Sequence, residues 1–138
     1  MQPRPTKNKL LLVDDDPMLL RAFARSFRAK GWAVSTHHVQ WVRTPDGGVA
    51  SDVSALHVRI RNADVVLSDF QLGGSMNGGH VAAFASMHGK PCAIWSGNTK
   101  AIPPELFLTN RVMNKTDDEA SVREALCEIV EASKGESQ

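Results

Sequence analysis

Lysine and arginine are nowhere massed in this chain: 16 of them are scattered against 15 acidic residues, for a formal net charge of +1. That balance leaves no electrostatic footprint for nucleic acid, and no DNA-binding output module is visible. Long apolar runs are lacking too. The first one, Leu10 to Val13, is far too short for a signal-peptide core or a membrane span, and Asp14 ends it. A cytoplasmic protein with no membrane contact is expected. Cysteine is nearly absent: Cys92 and Cys127 stand far apart with no C-x-x-C, which reads as two packed, reduced thiols without a disulfide or metal site. Tyrosine is missing altogether.

What remains is 138 residues, 42% of them hydrophobic, enough for one domain with a real core. Short apolar runs alternate with stretches of helical period. Leu10 to Val13, Ala33 onward, Val65 to Leu67, Cys92 to Trp95 and Val112 to Met113 are strand-length. Between them, Leu20, Phe23, Ala24 and Phe27 recur at helical spacing before Gly31. Val81, Phe84, Ala85 and His88 do so before Gly89, and Val122, Ala125, Leu126, Ile129 and Val130 form the strongest stripe. Val53, Leu56 and Ile60 mark a weaker helix. Strand and helix alternate five times with connections too long for hairpins, which predicts an α/β domain, a doubly wound parallel sheet covered on both faces.

Such sheets place their chemistry outside the carboxyl ends of the strands. The first strand ends in Asp14 and Asp15, the third in Asp69, the fourth in Ser96 and the fifth in Lys115. If the order is 2-1-3-4-5, the ends of strands one and three are neighbours, about 4.8 Å apart, and three carboxylates share one pocket. Two such charges about 5 Å apart repel by roughly 3 kcal/mol at an effective dielectric of ~20, so the cluster calls for a raised pKa or a cation. A hard divalent ion such as Mg²⁺, which takes carboxylates together with a phosphate oxygen, suits that lip. Asp16, followed by Pro17, reads instead as a helix N-cap. Taken singly, each of these polar residues is a common turn or surface feature. Their joint occurrence at successive strand ends is what points to a site.

With these residues in place, the sequence resembles the receiver domains of two-component response regulators, from about Lys9 to Lys134. Gly97 after the hydroxyl, and Met76-Asn77-Gly78 leading into the third helix, fit the same pattern. The resemblance implies a flavodoxin-like (βα)5 sheet of order 2-1-3-4-5, with residues 1–8 and 135–138 as tails. It implies that Asp69 accepts a phosphoryl group, assisted by Ser96 and Lys115. Mg²⁺ would be held by Asp15, Asp69 and the carbonyl of Gln71, with Asp14 acting through water, and Gln71 and Asn98 would govern the access of attacking water. The implied partners are a sensor histidine kinase or phosphotransfer protein and a downstream protein target.

The chain departs from the family pattern at several points. Thr116 stands where proline usually follows the lysine, and Thr116 to Glu119 spells a capping box for the last helix. Val112 takes the place of the usual switch aromatic, and little chain is left near Ile102 to Leu108 for a fourth helix. A surplus between Thr36 and Asp52 reads either as an extended second strand with a P-D-G turn or as a hairpin-like excursion. Trp41 within it is a partner contact or a cover for the sheet edge. His37 and His38 should point to opposite faces, which argues against a joint metal site. Gly73-Gly74 lacks the G-K-S/T of a phosphate loop and reads as local mobility. Two other functions stay open: a receiver-like module that binds partners regardless of phosphate, and a Mg²⁺-dependent phosphatase with an aspartyl nucleophile. The second wants D-x-D, whereas Asp69-Phe70-Gln71 lacks the second acid.

Overall fold

The computed structural model describes residues 7–45, 47–50 and 52–136. Five parallel strands form the central sheet: β1 (Lys9–Asp14), β2 (Ala33–His38), β5 (Val65–Asp69), β6 (Cys92–Ser96) and β7 (Arg111–Asn114). Their order is β2-β1-β5-β6-β7. Counting only these five, that is the expected 2-1-3-4-5 arrangement. The surplus after β2 is a separate antiparallel hairpin of β3 (Trp41–Thr44) and β4 (Gly47–Ala50), so the excursion is the form the chain takes. Of its P-D-G turn, Asp46 lies outside the described residues.

Strand alternation divides the core into two layers. In β1, Leu10 and Leu12 face one side with Leu67, Trp95, Phe27 and Leu126, while Leu11 and Val13 face the other with Val66, Ile94, Leu56 and Ile60. The first layer is roofed by α1 (Pro17–Ala29) and α5 (Glu119–Glu136), the second by α2 (Val53–Arg61) and α3 (Gly78–Met87). Strands β1, β5 and β6 are covered on both faces, which is why they read as unbroken apolar runs. The histidines split as expected: His37 is buried and accepts from Arg59, while His38 is exposed.

Local signals account for the helix boundaries. Asp16 Oδ1 accepts from the amides of Met18 and Leu19 ahead of α1, and Gly31, at φ +95°, lets the chain leave it. Asn77 and His80 form a reciprocal capping box at the start of α3. The capping box expected from Thr116 is not the one used. The Thr116 hydroxyl bonds Asn114 Oδ1 (2.8 Å), and Asp118 Oδ1 takes the Ser121 amide (2.7 Å) at the head of α5, because an aspartate one residue before the helix is better placed. Glu119 turns instead to Arg123 and to the Ser26 hydroxyl of α1. The fourth helix is short as anticipated: a 3-10 turn at Thr99–Ala101 and then α4 (Pro104–Thr109). Helix α5 runs to Glu136, two residues into the stretch read as tail; residues 1–6 and 137–138 of the expected tails lie outside the described residues. Among the described residues no helix is long and apolar enough to cross a membrane.

One glycine sets how closely α3 approaches the sheet. The Gly78 amide donates to Phe70 O (2.8 Å), and a Cβ there would fall 2.7 Å from the Asp69 carbonyl oxygen and 2.9 Å from Phe70 Cα. Gly78→Ala is expected to lower stability by about 1–3 kcal/mol through forced displacement of backbone. Denaturant unfolding measures this; a neutral result would mean that α3 can retreat from β5 at no cost.

Candidate functional site: an acidic cleft at the carboxyl ends of the strands

The parallel register Val13↔Ser68 puts the ends of β1 and β5 side by side. Asp14 and Asp69 therefore converge at the seam of the two central strands, and Asp15 follows one residue beyond β1. One carboxylate oxygen from each of the three lies within 4.8 Å of the others. Asp14 and Asp69 are buried, whereas Asp15 is exposed. Lys115, just past β7, sends its ammonium to both buried acids, 3.3 Å from Asp14 Oδ2 and 3.3 Å from Asp69 Oδ2. Its backbone is held by the bond from Lys115 N to Ser96 O (2.9 Å), so β6 determines where the lysine starts. The ammonium also sits 5.3 Å from the centre of the Trp95 ring, whose negative face favours a cation.

Burial raises the Asp14 carboxyl from its usual 3.8 to about 6, with the neighbouring Asp69 charge adding to the rise and Lys115 opposing it. Asp69 is raised as well, chiefly by burial, against the pull of Lys115 and of the Gln71 amide. Three carboxylates set against one ammonium leave two negative charges facing an open cleft. Asp15, Asp69, Gln71, Leu72 and Asn77 are among the residues lining it. Hard oxygen donors with that charge surplus fit a divalent cation of the Mg²⁺ type. Gln71 lines the cleft, and its backbone N–H donates to Asp69 Oδ1 at 3.4 Å.

Ser96, buried at the end of β6, is not joined to the acids. Its hydroxyl donates to Asn98 O (3.2 Å) and accepts from Asn98 N (3.0 Å), closing a turn within its own loop. The Asn98 side chain in turn accepts from Lys100 N. The acids and Lys115 thus form one cluster, Gln71 borders it, and Ser96 stands beside it in a local turn.

Two contacts escaped the sequence reading. Trp95 was legible only as a core strand residue, yet it underlies Lys115, and its indole nitrogen is buried without a hydrogen-bond partner among the described residues. Trp41 donates from Nε1 to Leu72 O (2.6 Å), on the loop that follows Asp69. The adjacent Gly73-Gly74 was the available signal, since paired glycines can mark the close approach of another group.

No protein-family model matches the chain, and no curated protein matches its sequence. Solved structures do match it. The N-terminal domain of a response regulator/sensory box/GGDEF 3-domain protein from Carboxydothermus hydrogenoformans aligns at a TM-score of 0.74 and 15% identity, over 95% of this chain and 100% of that one. The response regulator receiver protein from Sinorhizobium medicae WSM419 gives 0.69 and 18%, over 92% and 97% of the two chains. The signal receiver domain of an HD domain-containing protein from Pseudomonas fluorescens Pf-5 gives 0.71 and 15%, over 94% and 99%. The chain has the flavodoxin-like fold of response-regulator receiver domains, at sequence identities low enough that the likeness is one of fold.

The raised Asp14 carboxyl has a definite sign in stability. The folded state holds that proton more tightly than the unfolded chain, so the group favours folding below about pH 4 and loses that contribution as pH rises through about 6. With divalent cations chelated, Asp14→Asn is expected to be more stable than wild type at pH 7 by on the order of 2 kcal/mol. The difference should shrink as pH falls from about 6 to about 4. Thermal unfolding across that range decides it, and a less stable variant at pH 7 would show that the Lys115 pairing outweighs desolvation.

Proposed function

We propose that the protein is a phosphoacceptor receiver of a two-component phosphorelay, taking a phosphoryl group onto Asp69 from a histidine kinase or phosphotransfer protein and switching its binding to a downstream protein. The observation that carries this reading is the Asp69 carboxylate at the end of β5, 3.3 Å from the Lys115 ammonium and clustered with Asp14 and Asp15. A carboxylate is a sufficient nucleophile once the incoming phosphoryl charge is neutralised. An Asp69 oxygen attacks phosphorus in line, the O–P bond forms as the N–P bond of the donor phosphohistidine breaks, and the released imidazole takes up a proton.

Lys115 is already poised between Asp14 and Asp69 and would follow the new charge onto a phosphoryl oxygen. Asp15, Asp69 and the Gln71 carbonyl would hold Mg²⁺, with Asp14 acting through water, and the ion when bound supplies positive charge beside the transferring group. A hydroxyl has one proton, so Ser96 can donate to a phosphoryl oxygen only by releasing Asn98 O. That exchange would loosen the turn leading into Thr99–Ala101 and α4, a route from the acids to a surface where Leu108 is 87% exposed. Gln71 and Asn98 are neutral amides, so their effect on attacking water is one of obstruction and orientation.

The reading includes only self-catalysed phosphoryl transfer and hydrolysis. A turnover phosphatase would want a second acid two residues beyond the nucleophile, where Gln71 stands. A phosphate-independent interaction module is the second reading, favoured by Val112 at the switch position and by the closed Ser96 turn.

Intact mass after incubation with acetyl phosphate separates these readings. The receiver predicts a Mg²⁺-dependent gain of one phosphoryl group in wild type, lost in Asp69→Asn and reduced at least tenfold in rate in Lys115→Ala, since a charged contact to a phosphoryl oxygen is worth about 1.5–3 kcal/mol. Absence of both adduct and Mg²⁺ binding would favour the phosphate-independent module. Sustained release of phosphate from simple esters would sink the receiver reading.

A further inference from the structure

The segment from His38 to Trp41 touches both loops that carry the acids. Val39 N donates to Asp14 O (2.9 Å), and His38 Nε2 bonds Asp15 O (3.1 Å); a carbonyl can only accept, so that nitrogen carries the proton. Three residues further on, Trp41 Nε1 donates to Leu72 O, on the loop after β5. The indole then covers Gly74 so closely that a Cβ there would fall 2.5 Å from its ring. At Gly73, φ +88°, a Cβ would meet Asp15 Oδ2 at 3.2 Å and Trp41 Nε1 at 3.4 Å. Indole, loop backbone and Asp15 carboxylate are thus packed with no room for a methyl group between indole and loop.

A loop with two consecutive glycines has much conformational freedom to lose, and a metal ligand borne on it is useful only when that freedom is already removed. Resting on the receiver reading of the acidic cleft, we propose that Trp41 is a positioning residue for the cation site. It clamps the loop after β5 so that the Gln71 carbonyl and the Asp69 carboxylate are presented together. The hairpin supplies the clamp: pairing of Trp41 with Ala50 fixes the strand, and the ring packs on the core layer that contains Val39, Leu72 and Met76. The backbone of Gly74, unlike that of Gly73, is not left-handed, so the absence of a side chain at Gly74 is explained by the ring above it and not by φ.

Calorimetric Mg²⁺ titration of the full chain tests this, with thermal unfolding run on every variant. Trp41→Phe keeps a ring but loses the bond to Leu72 O and should bind Mg²⁺ more weakly than wild type, by less than Trp41→Ala, which should lose about tenfold, the scale of a lost ligand-orienting partner. Gly74→Ala should weaken binding in the wild-type background by expelling the ring, and should add little in the Trp41→Ala background, where the clash is gone. Hydrogen exchange at the Gly73 and Gly74 amides, measured without metal, should quicken in Trp41→Ala. Unchanged Mg²⁺ affinity in all variants, or strictly additive losses, would overturn the clamp alone. Wild-type protein that neither binds Mg²⁺ nor accepts a phosphoryl group would overturn the receiver reading and the clamp with it.

Discussion

The contact on which the site depends is the Lys115 ammonium held between Asp14 and Asp69. Two carboxylates at the ends of adjacent central strands, both out of water, would repel each other strongly in a medium that screens poorly. The ammonium offsets part of that repulsion, and the Asp14 carboxyl is still raised, by burial first and by the Asp69 charge second. This leaves a pocket short of positive charge, a condition that suits a divalent cation.

Around that contact the fold supplies position. The lysine is placed by its backbone bond to Ser96 O, and its head rests over Trp95, which belongs to the core layer beneath α1 and α5. Strand alternation sends Trp95 and Ser96 to opposite faces of β6, so the residue under the lysine and the hydroxyl proposed to read the phosphoryl group answer to different layers. With Val112 at the usual aromatic position and α4 only six residues long, the proposed switch would run through the Ser96–Asn98 turn to the exposed apolar end of α4. Trp41 reaches the loop after β5 from a hairpin outside the five-stranded sheet.

The parts that the sequence made legible are those governed by local physics. Buried strands announce themselves as apolar runs, Asp16-Pro17 as a helix start, and Gly31 and Gly89 as exits, because each depends on neighbours within a few residues. The acidic cluster was also readable: given the strand order that the family resemblance implies, the carboxyl ends of the first and third strands are neighbours, and Asp14, Asp69 and Lys115 stand at strand ends. Thr116 misled because two acceptable caps stood two residues apart, and the choice fell on Asp118 while Thr116 and Glu119 found Asn114, Ser26 and Arg123 instead.

What the sequence determined by itself is therefore the doubly wound sheet, its strand ends and the chemistry gathered on them, since periodicity and residue type carry that information along the chain. Only the tertiary structure decided that the surplus after β2 is a hairpin, that the Trp41 indole reaches Leu72, that Ser96 is turned into its own loop, and that Lys115 rests over Trp95. These contacts join residues brought together by packing, through hydrogen bonds of fixed length and glycine surfaces that admit a ring. Their geometry exists only once both sides of the contact have been placed.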